Sequence, residues 1–306
     1  MKLYTIANEK LKSIAPDDFK LEREIQSLIE KNLDELFNLQ FVKSELKIGS
    51  FRIDTLGYDK ENKSFVVIEY KRERNFSVID QGYTYMSLML NNKSDFILEY
   101  NDVCNGQLRR NDVEWTQSKV IFISPYYTEY QKHSVNFKDV PFELWEIKRY
   151  ENNLLGLIQH KATSVESIAT VSIDKTNVVN QVSKQIEVFS EEYHLKSSVS
   201  RPEWVNELYF ELKERILSLK EVEMKYNKYV ISFRNKSPFT DIMFNNNGLK
   251  ITLNCKVGTL KDNEHLMKNF NGKGHWGNGD YYTNIDDKTD LDYLMILIKQ
   301  SYQNKI

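Results

Sequence analysis

The chain has 306 residues, 41% hydrophobic and 28% charged, with a formal net charge of −2. That length and apolar content suggest two domains and exclude a wholly disordered chain, and the near-neutral charge excludes a strongly basic nucleic-acid coat protein. Cys104 and Cys255 with five scattered histidines give neither a disulfide framework nor zinc-ligand spacing, which suits a reducing cytosol. Met1-Lys2-Leu3-Tyr4 lacks the apolar core of a signal peptide, and runs such as Leu294–Ile298 are too short to cross a bilayer. A cytoplasmic protein with no membrane partner is expected.

In chain order, Pro16-Asp17-Asp18 reads as a helix start, followed by the apolar stripe Ile25, Leu28, Ile29, Leu33, Leu36 and Phe37. Strand-like runs follow at Phe41–Leu46, Phe51–Tyr58 and Ser64–Lys71, with turns at Gly49-Ser50 and Asp59–Lys63. Val78–Leu90 returns to helical spacing, and Phe96–Tyr100, Lys119–Ser124 and Phe142–Tyr150 read as strands. This order gives a mixed α/β sheet with helices packed on it, over residues 1–160. Residues 161–189 read as a linker, and helical character is expected at Val178–Glu192. Residues 190–306 form a smaller α+β domain, with helices at Glu203–Leu219 and Asp290–Tyr302 around short strands at Lys228–Arg234, Asp241–Asn245 and Leu249–Asn254.

The most specific chemistry lies in the first domain. Strand alternation puts Val67, Glu69 and Lys71 on one face, and a hairpin between the two neighbouring strands brings Asp54 across from Glu69. Two carboxylates at that range repel unless a cation lies between them, and magnesium suits such an oxygen site. At roughly 100° per residue, Glu22 shares the face of Ile25 and Ile29, while Glu24 lies opposite. Gln81 and Tyr85 share one face of the next helix, and Arg72 and Arg74 flank the strand end, where they can reach phosphates. A Glu-x-Lys on an exposed strand or a lone Asp before a turn is common, so the weight rests on their joint occurrence in this order.

Glu22, Asp54, Glu69-Tyr70-Lys71 and Gln81-x-x-x-Tyr85 together resemble the PD-(D/E)XK nuclease superfamily, over residues 15–150. The Gln-x-x-x-Tyr helix looks like the RecB-type branch. Glu22-Arg23-Glu24-Ile25-Gln26 and Phe51-Arg52-Ile53-Asp54 look like the subgroup related to archaeal mismatch endonucleases. Ile53 stands where the family name places Pro. The resemblance implies a restriction-endonuclease-like mixed β-sheet flanked by helices and a Mg²⁺-dependent DNA endonuclease, with Mn²⁺ as a substitute. It implies that Asp54, Glu69 and the Tyr70 carbonyl bind the metal, with Glu22 directly or through water. Lys71 would orient the attacking water and steady charge on the phosphate, and Gln81 and Tyr85 would position the nucleic acid or the helix. The implied partner is DNA, with single-stranded and branched forms included, and a homodimer where both strands are cut. The alternative is a non-catalytic nucleic-acid-binding or interaction protein with a nuclease-like fold.

In the second half, Gly272-Lys273-Gly274-His275-Trp276-Gly277 matches a dinucleotide-loop pattern, but a strand-like run, Tyr281–Ile285, follows it where a helix is required. His275, Trp276 and Tyr281 suggest an aromatic loop anchor or a base-stacking surface. Asp286, Asp287, Asp290 and Asp292 lack a calcium loop's spacing and suit the start of the last helix. Glu191–Leu195, Gly274–Asp280 and Asp292-Tyr293 resemble an uncharacterised C-terminal domain often joined to such nucleases and sometimes labelled "predicted transport protein". A recognition or regulatory role is expected of it.

Overall fold

The computed structural model describes residues 2–72, 77–164, 166–168, 178–196, 201–270 and 278–304. The chain divides into two compact units, Met1–Val188 and Phe189–Ile306.

The first unit opens with a hairpin of β1 (Leu3–Ala7) and β2 (Lys10–Ile14), which the residue pattern does not announce. Then come α1 (Glu22–Glu30), α2 (Leu33–Phe37), β3 (Gln40–Ile48), β4 (Phe51–Asp59), β5 (Ser64–Tyr70), α3 (Val78–Asn91) and α4 (Lys93–Cys104). The unit continues with β6 (Lys119–Ser124), α5 (Glu129–Ser134), β7 (Phe142–Tyr150), β8 (Leu154–His160) and α6 (Val178–Ser183). Strands β3 to β8 form one six-stranded mixed sheet in sequence order. Pairing is antiparallel from β3 to β5 and between β7 and β8, and parallel from β5 to β7.

Every residue of β5 is buried, because helices cover both faces of this central strand. Val66, Ile68 and Tyr70 pack with Ile25 and Ile29 of α1, while Phe65 and Val67 pack with Met86 and Met89 of α3 and Phe96 of α4. Alternation therefore sends Glu69, two residues beyond Val67, to the α3 side. Helix α3 lies close on that side: a Cβ added at Gly82 would meet the Phe142 ring at 2.5 Å. Ser77 caps the helix, its hydroxyl accepting the Asp80 N–H at 3.2 Å.

Three expectations change. The first long helix begins at Glu22 rather than at Pro16–Asp18, because that segment is tied to β7. Pro16 bridges to Tyr150, the Asp17 N–H donates to the Arg149 carbonyl at 2.9 Å, and the Arg149 guanidinium pairs with the Asp17 carboxylate at 2.7 Å. Phe96–Tyr100 lies inside α4 and is not a strand; Phe96, Tyr100 and Cys104 fall one turn apart on the face toward the core. Described parts of 161–189 belong to the first core, with Ile168, Val182 and Ile186 buried in it.

The second unit holds α7 (Glu191–Leu195), α8 (Glu203–Leu217), β9 (Glu223–Tyr226), β10 (Ile231–Arg234), β11 (Pro238–Asn245) and β12 (Gly248–Leu253). The last elements are β13 (Lys268–Asn269), β14 (Tyr281–Ile285) and α9 (Leu291–Gln303). Its strands form an antiparallel sheet ordered β13-β14-β12-β11-β10-β9, separate from the first. Helices α8 and α9 bury Leu212, Ile216, Leu294 and Ile298 against Ile231, Phe233, Ile242 and Ile251. Asp290 caps α9, its Oδ1 accepting the N–H groups of Asp292 and Tyr293. The Gly272–Gly277 segment, with His275 and Trp276, lies outside the described residues. Among the described residues no helix is long and apolar enough to cross a membrane.

Within this core the buried Ser301 hydroxyl donates to the Phe239 carbonyl at 2.6 Å. Ser301→Ala is expected to lower unfolding stability by about 1 kcal/mol in urea denaturation, since it removes that bond, while the carbonyl keeps the Asn254 N–H at 3.0 Å. A loss of only a tenth or two would show that the bond contributes nothing net.

Candidate active site

The site forms where β4 and β5 meet beneath α3. The β4–β5 register runs to Thr55 opposite Ile68, and one further antiparallel step places Asp54 beside Glu69. The Asp54 carboxylate turns toward β5 and accepts the Tyr70 N–H at 3.1 Å. Glu69 is almost wholly enclosed, with 4% of its side chain exposed, and its Oε1 accepts from the Lys71 ammonium at 2.7 Å. Glu69 Oε2 is buried with no hydrogen-bond partner of regular geometry. The Lys71 backbone is fixed by its own N–H, which donates to the Ile123 carbonyl of β6 at 3.0 Å.

The electrostatics follow from this enclosure. Burial pushes the Asp54 carboxyl up to about 7, and the neighbouring Glu69 charge adds to the rise; the Tyr70 N–H and Lys71 oppose it. Burial works against the Lys71 ammonium, but its hydrogen bond to Glu69 and the charges of Glu69, Asp54 and Glu22 outweigh that and raise its pKa. Burial also raises the Tyr85 phenol well above its usual value, with the Glu69 and Asp54 carboxylates adding to the effect.

The other sequence-derived residues fall as follows. Glu22 sits in the first turn of α1, half-buried, and its Oε1 accepts the Arg72 N–H at 2.8 Å, at the end of β5. Glu24 turns away and accepts the Lys20 N–H at 2.8 Å. Tyr85 on α3 faces the two carboxylates, and its hydroxyl also makes a long contact of 3.5 Å with the Arg52 carbonyl. Gln81, one turn earlier, has a buried Oε1 without a partner. The Arg72 guanidinium donates to the Lys20 carbonyl and so is drawn back to the approach of α1. Arg74 lies outside the described residues.

A network on the α1 side went unread in the sequence. The Tyr70 hydroxyl donates to Thr55 Oγ1 at 3.1 Å, Thr55 donates to Glu30 Oε1 at 2.6 Å, and Gln26 Nε2 donates to the same Glu30 oxygen at 3.0 Å. A signal existed: Glu22, Gln26 and Glu30 recur every fourth residue, a polar stripe beside the apolar Ile25–Ile29 stripe.

Among the described residues, no group of three or more His, Cys, Asp or Glu side chains stands ready to hold a metal ion. Asp54 and Glu69 form a two-carboxylate pair instead. The pair suits a hard divalent cation in two respects: the donors are oxygens, and burial together with the neighbouring Glu69 charge raises Asp54. Magnesium keeps several waters, so two carboxylates and a carbonyl suffice.

Comparison with known proteins gives the family. Over 306 residues the chain is 42% identical to an uncharacterised protein of Haemophilus influenzae, covering 99% of this chain and 100% of that one. The chain belongs to that protein's family. Residues 196–305 match a domain of unknown function, DUF5655. Among solved structures, the chain is similar to EndoMS in complex with double-stranded DNA, at 20% identity and a TM-score of 0.29 over 42% of this chain and 47% of that chain. It is also similar to a repair endonuclease from Pyrococcus abyssi, at 22% identity and a TM-score of 0.26 over 43% and 49%. The chain thus spans about half the length of those two structures.

Proposed function

We propose that the first unit is a divalent-metal-dependent DNA endonuclease of the PD-(D/E)XK type. The observation that carries this reading is the enclosed Asp54–Glu69 pair with Lys71 at 2.7 Å from Glu69. Asp54, Glu69 and the Tyr70 carbonyl would hold Mg²⁺ or Mn²⁺, with Glu22 acting through water. Bound there, the ion supplies a polarised phosphoryl oxygen and a water of lowered pKa.

The chain's own groups do the rest. The Lys71 ammonium stays charged and meets the phosphate's negative charge. The Glu69 hydrogen bond holds that ammonium in place, and the charges of Asp54 and Glu22 favour its charged form. Tyr85 and Gln81 line the α3 wall and present a hydroxyl and an amide to the nucleic acid. Arg72 at the strand end adds a cation for the phosphate backbone, and Arg74 is proposed for the same role. The second unit then serves recognition or regulation, and cutting both strands of a duplex brings two copies together.

The test is a cleavage panel of single-stranded, branched and duplex DNA with Mg²⁺, Mn²⁺ or EDTA. Metal-dependent cleavage that disappears in Asp54→Ala is expected. No cleavage of any substrate, or cleavage that survives Asp54→Ala, would overturn the reading and leave a nucleic-acid-binding protein that does not cut.

A further inference from the structure

The backbone at Asp54 is poorly held by the sheet itself. The β3–β4 register passes from Ser44–Thr55 to Leu46–Ile53 without a Glu45–Asp54 pair, and Glu45 has a left-handed φ of 56°. The β4–β5 register likewise starts only at Thr55. Something other than the ladder must fix the strand where its carboxylate matters most.

Gln26 does so. Its Nε2 donates to the Asp54 carbonyl at 3.0 Å and to Glu30 Oε1 at 3.0 Å, with Ser44 Oγ at 3.1 Å and Glu45 Oε1 at 3.3 Å also in reach. Two N–H groups thus face four acceptors, and the two shortest contacts tie the Asp54 backbone to Glu30. Glu30 continues the chain through Thr55, the residue after Asp54, to the hydroxyl of Tyr70, the residue after Glu69. Thr55 and Tyr70 are 0% and 1% exposed. The surrounding layer is otherwise Ile25, Ile29, Val66, Ile68 and Ile121, where apolar residues would serve stability as well or better.

We propose that Gln26, Glu30, Thr55 and the Tyr70 hydroxyl are positioning residues, which hold the Asp54 and Glu69 backbones at the separation needed to share one cation. The proposal rests on the cation-binding reading of the site. Its contacts end on residues adjacent to both carboxylates, and a general packing role would not select those two positions.

Three full-length variants test it: Gln26→Ala, Thr55→Val, which removes only the hydroxyl's hydrogen bonding, and Thr55→Ser, which restores it. The Mn²⁺ dissociation constant is read by electron paramagnetic resonance, and exchange of the Tyr70 amide by NMR on the metal-free protein. Gln26→Ala and Thr55→Val are expected to weaken Mn²⁺ binding about 10–100-fold, as for other groups that orient metal ligands. The Tyr70 amide, which donates to Asp54, exchanges about tenfold faster or more in both variants, and Thr55→Ser behaves as the unmodified chain. Mn²⁺ binding within about twofold of the unmodified chain, or unchanged Tyr70 exchange in Gln26→Ala and Thr55→Val, overturns the proposal. Absence of Mn²⁺ binding by the unmodified chain would sink the cation reading instead, and the Tyr70 exchange rates then decide the network alone.

Discussion

Glu69→Gln is expected to slow metal-dependent DNA cleavage by about 10³-fold, which corresponds to about 4 kcal/mol of lost transition-state stabilisation. The substitution keeps the shape of a side chain that is only 4% exposed, so the fold should persist. It removes the charge that opposes Lys71 at 2.7 Å and one of the two carboxylates facing the proposed ion. The loss should appear in the single-turnover rate at saturating DNA, with thermal unfolding close to that of the unmodified protein. A rate within threefold of the unmodified chain would show that this carboxylate takes no part in the chemistry.

Asp54→Asn is expected to stabilise the metal-free protein at neutral pH. The sign follows from the direction of the shift. The folded carboxyl titrates at about 7 against an ordinary 3.8, so the folded state holds its proton where the unfolded state has released it. Stability contributed by the protonated form is complete below about 4 and is lost as pH rises to about 7. Above that range Asp54 is ionised against Glu69 and the penalty is fully present. Asn lacks that charge and still offers an oxygen to the Tyr70 N–H. Urea unfolding in EDTA should therefore find Asp54→Asn more stable at pH 8, on the order of 2 kcal/mol after allowance for partial solvent screening. At pH 4 the two proteins should be nearly equal. Added Mn²⁺ should stabilise only the unmodified chain, because the ion binds its folded form. A pH-independent difference between the two would mean that Asp54 is not strained by burial and repulsion.

Much of this site was legible from residue order because strand alternation is rigid. Once Val67 faces α3, Glu69 and Lys71 must follow it, and the hairpin brings Asp54 alongside. Helical geometry likewise placed Glu22 toward the end of β5 and Glu24 away from it. What stayed hidden depended on contacts distant in sequence. Pro16–Asp18 carries a helix-start composition, yet its pairing with Arg149 and Tyr150 of β7 keeps it extended. Phe96–Tyr100 is aromatic and apolar enough for a strand, and only its packing beneath Phe65 and Tyr58 reveals the helical face. Gln26 and Glu30 carry no signal in the sequence beyond their fourth-residue spacing from Glu22. Their role emerges only where β4 departs from its neighbours' ladders and leaves the Asp54 carbonyl to be claimed from α1. In the second unit the residue pattern points to an α+β fold, and its described residues present no comparable cluster of acids and a lysine.

Asp54 and Glu69 are proposed to share a divalent cation. Calorimetric titration of the metal-free, full-length chain with Mn²⁺ tests it most directly, alongside Asp54→Ala and Glu69→Ala. Saturable binding by the unmodified chain that is lost in both variants is the predicted result. Absence of binding, or equal binding by all three proteins, would contradict it.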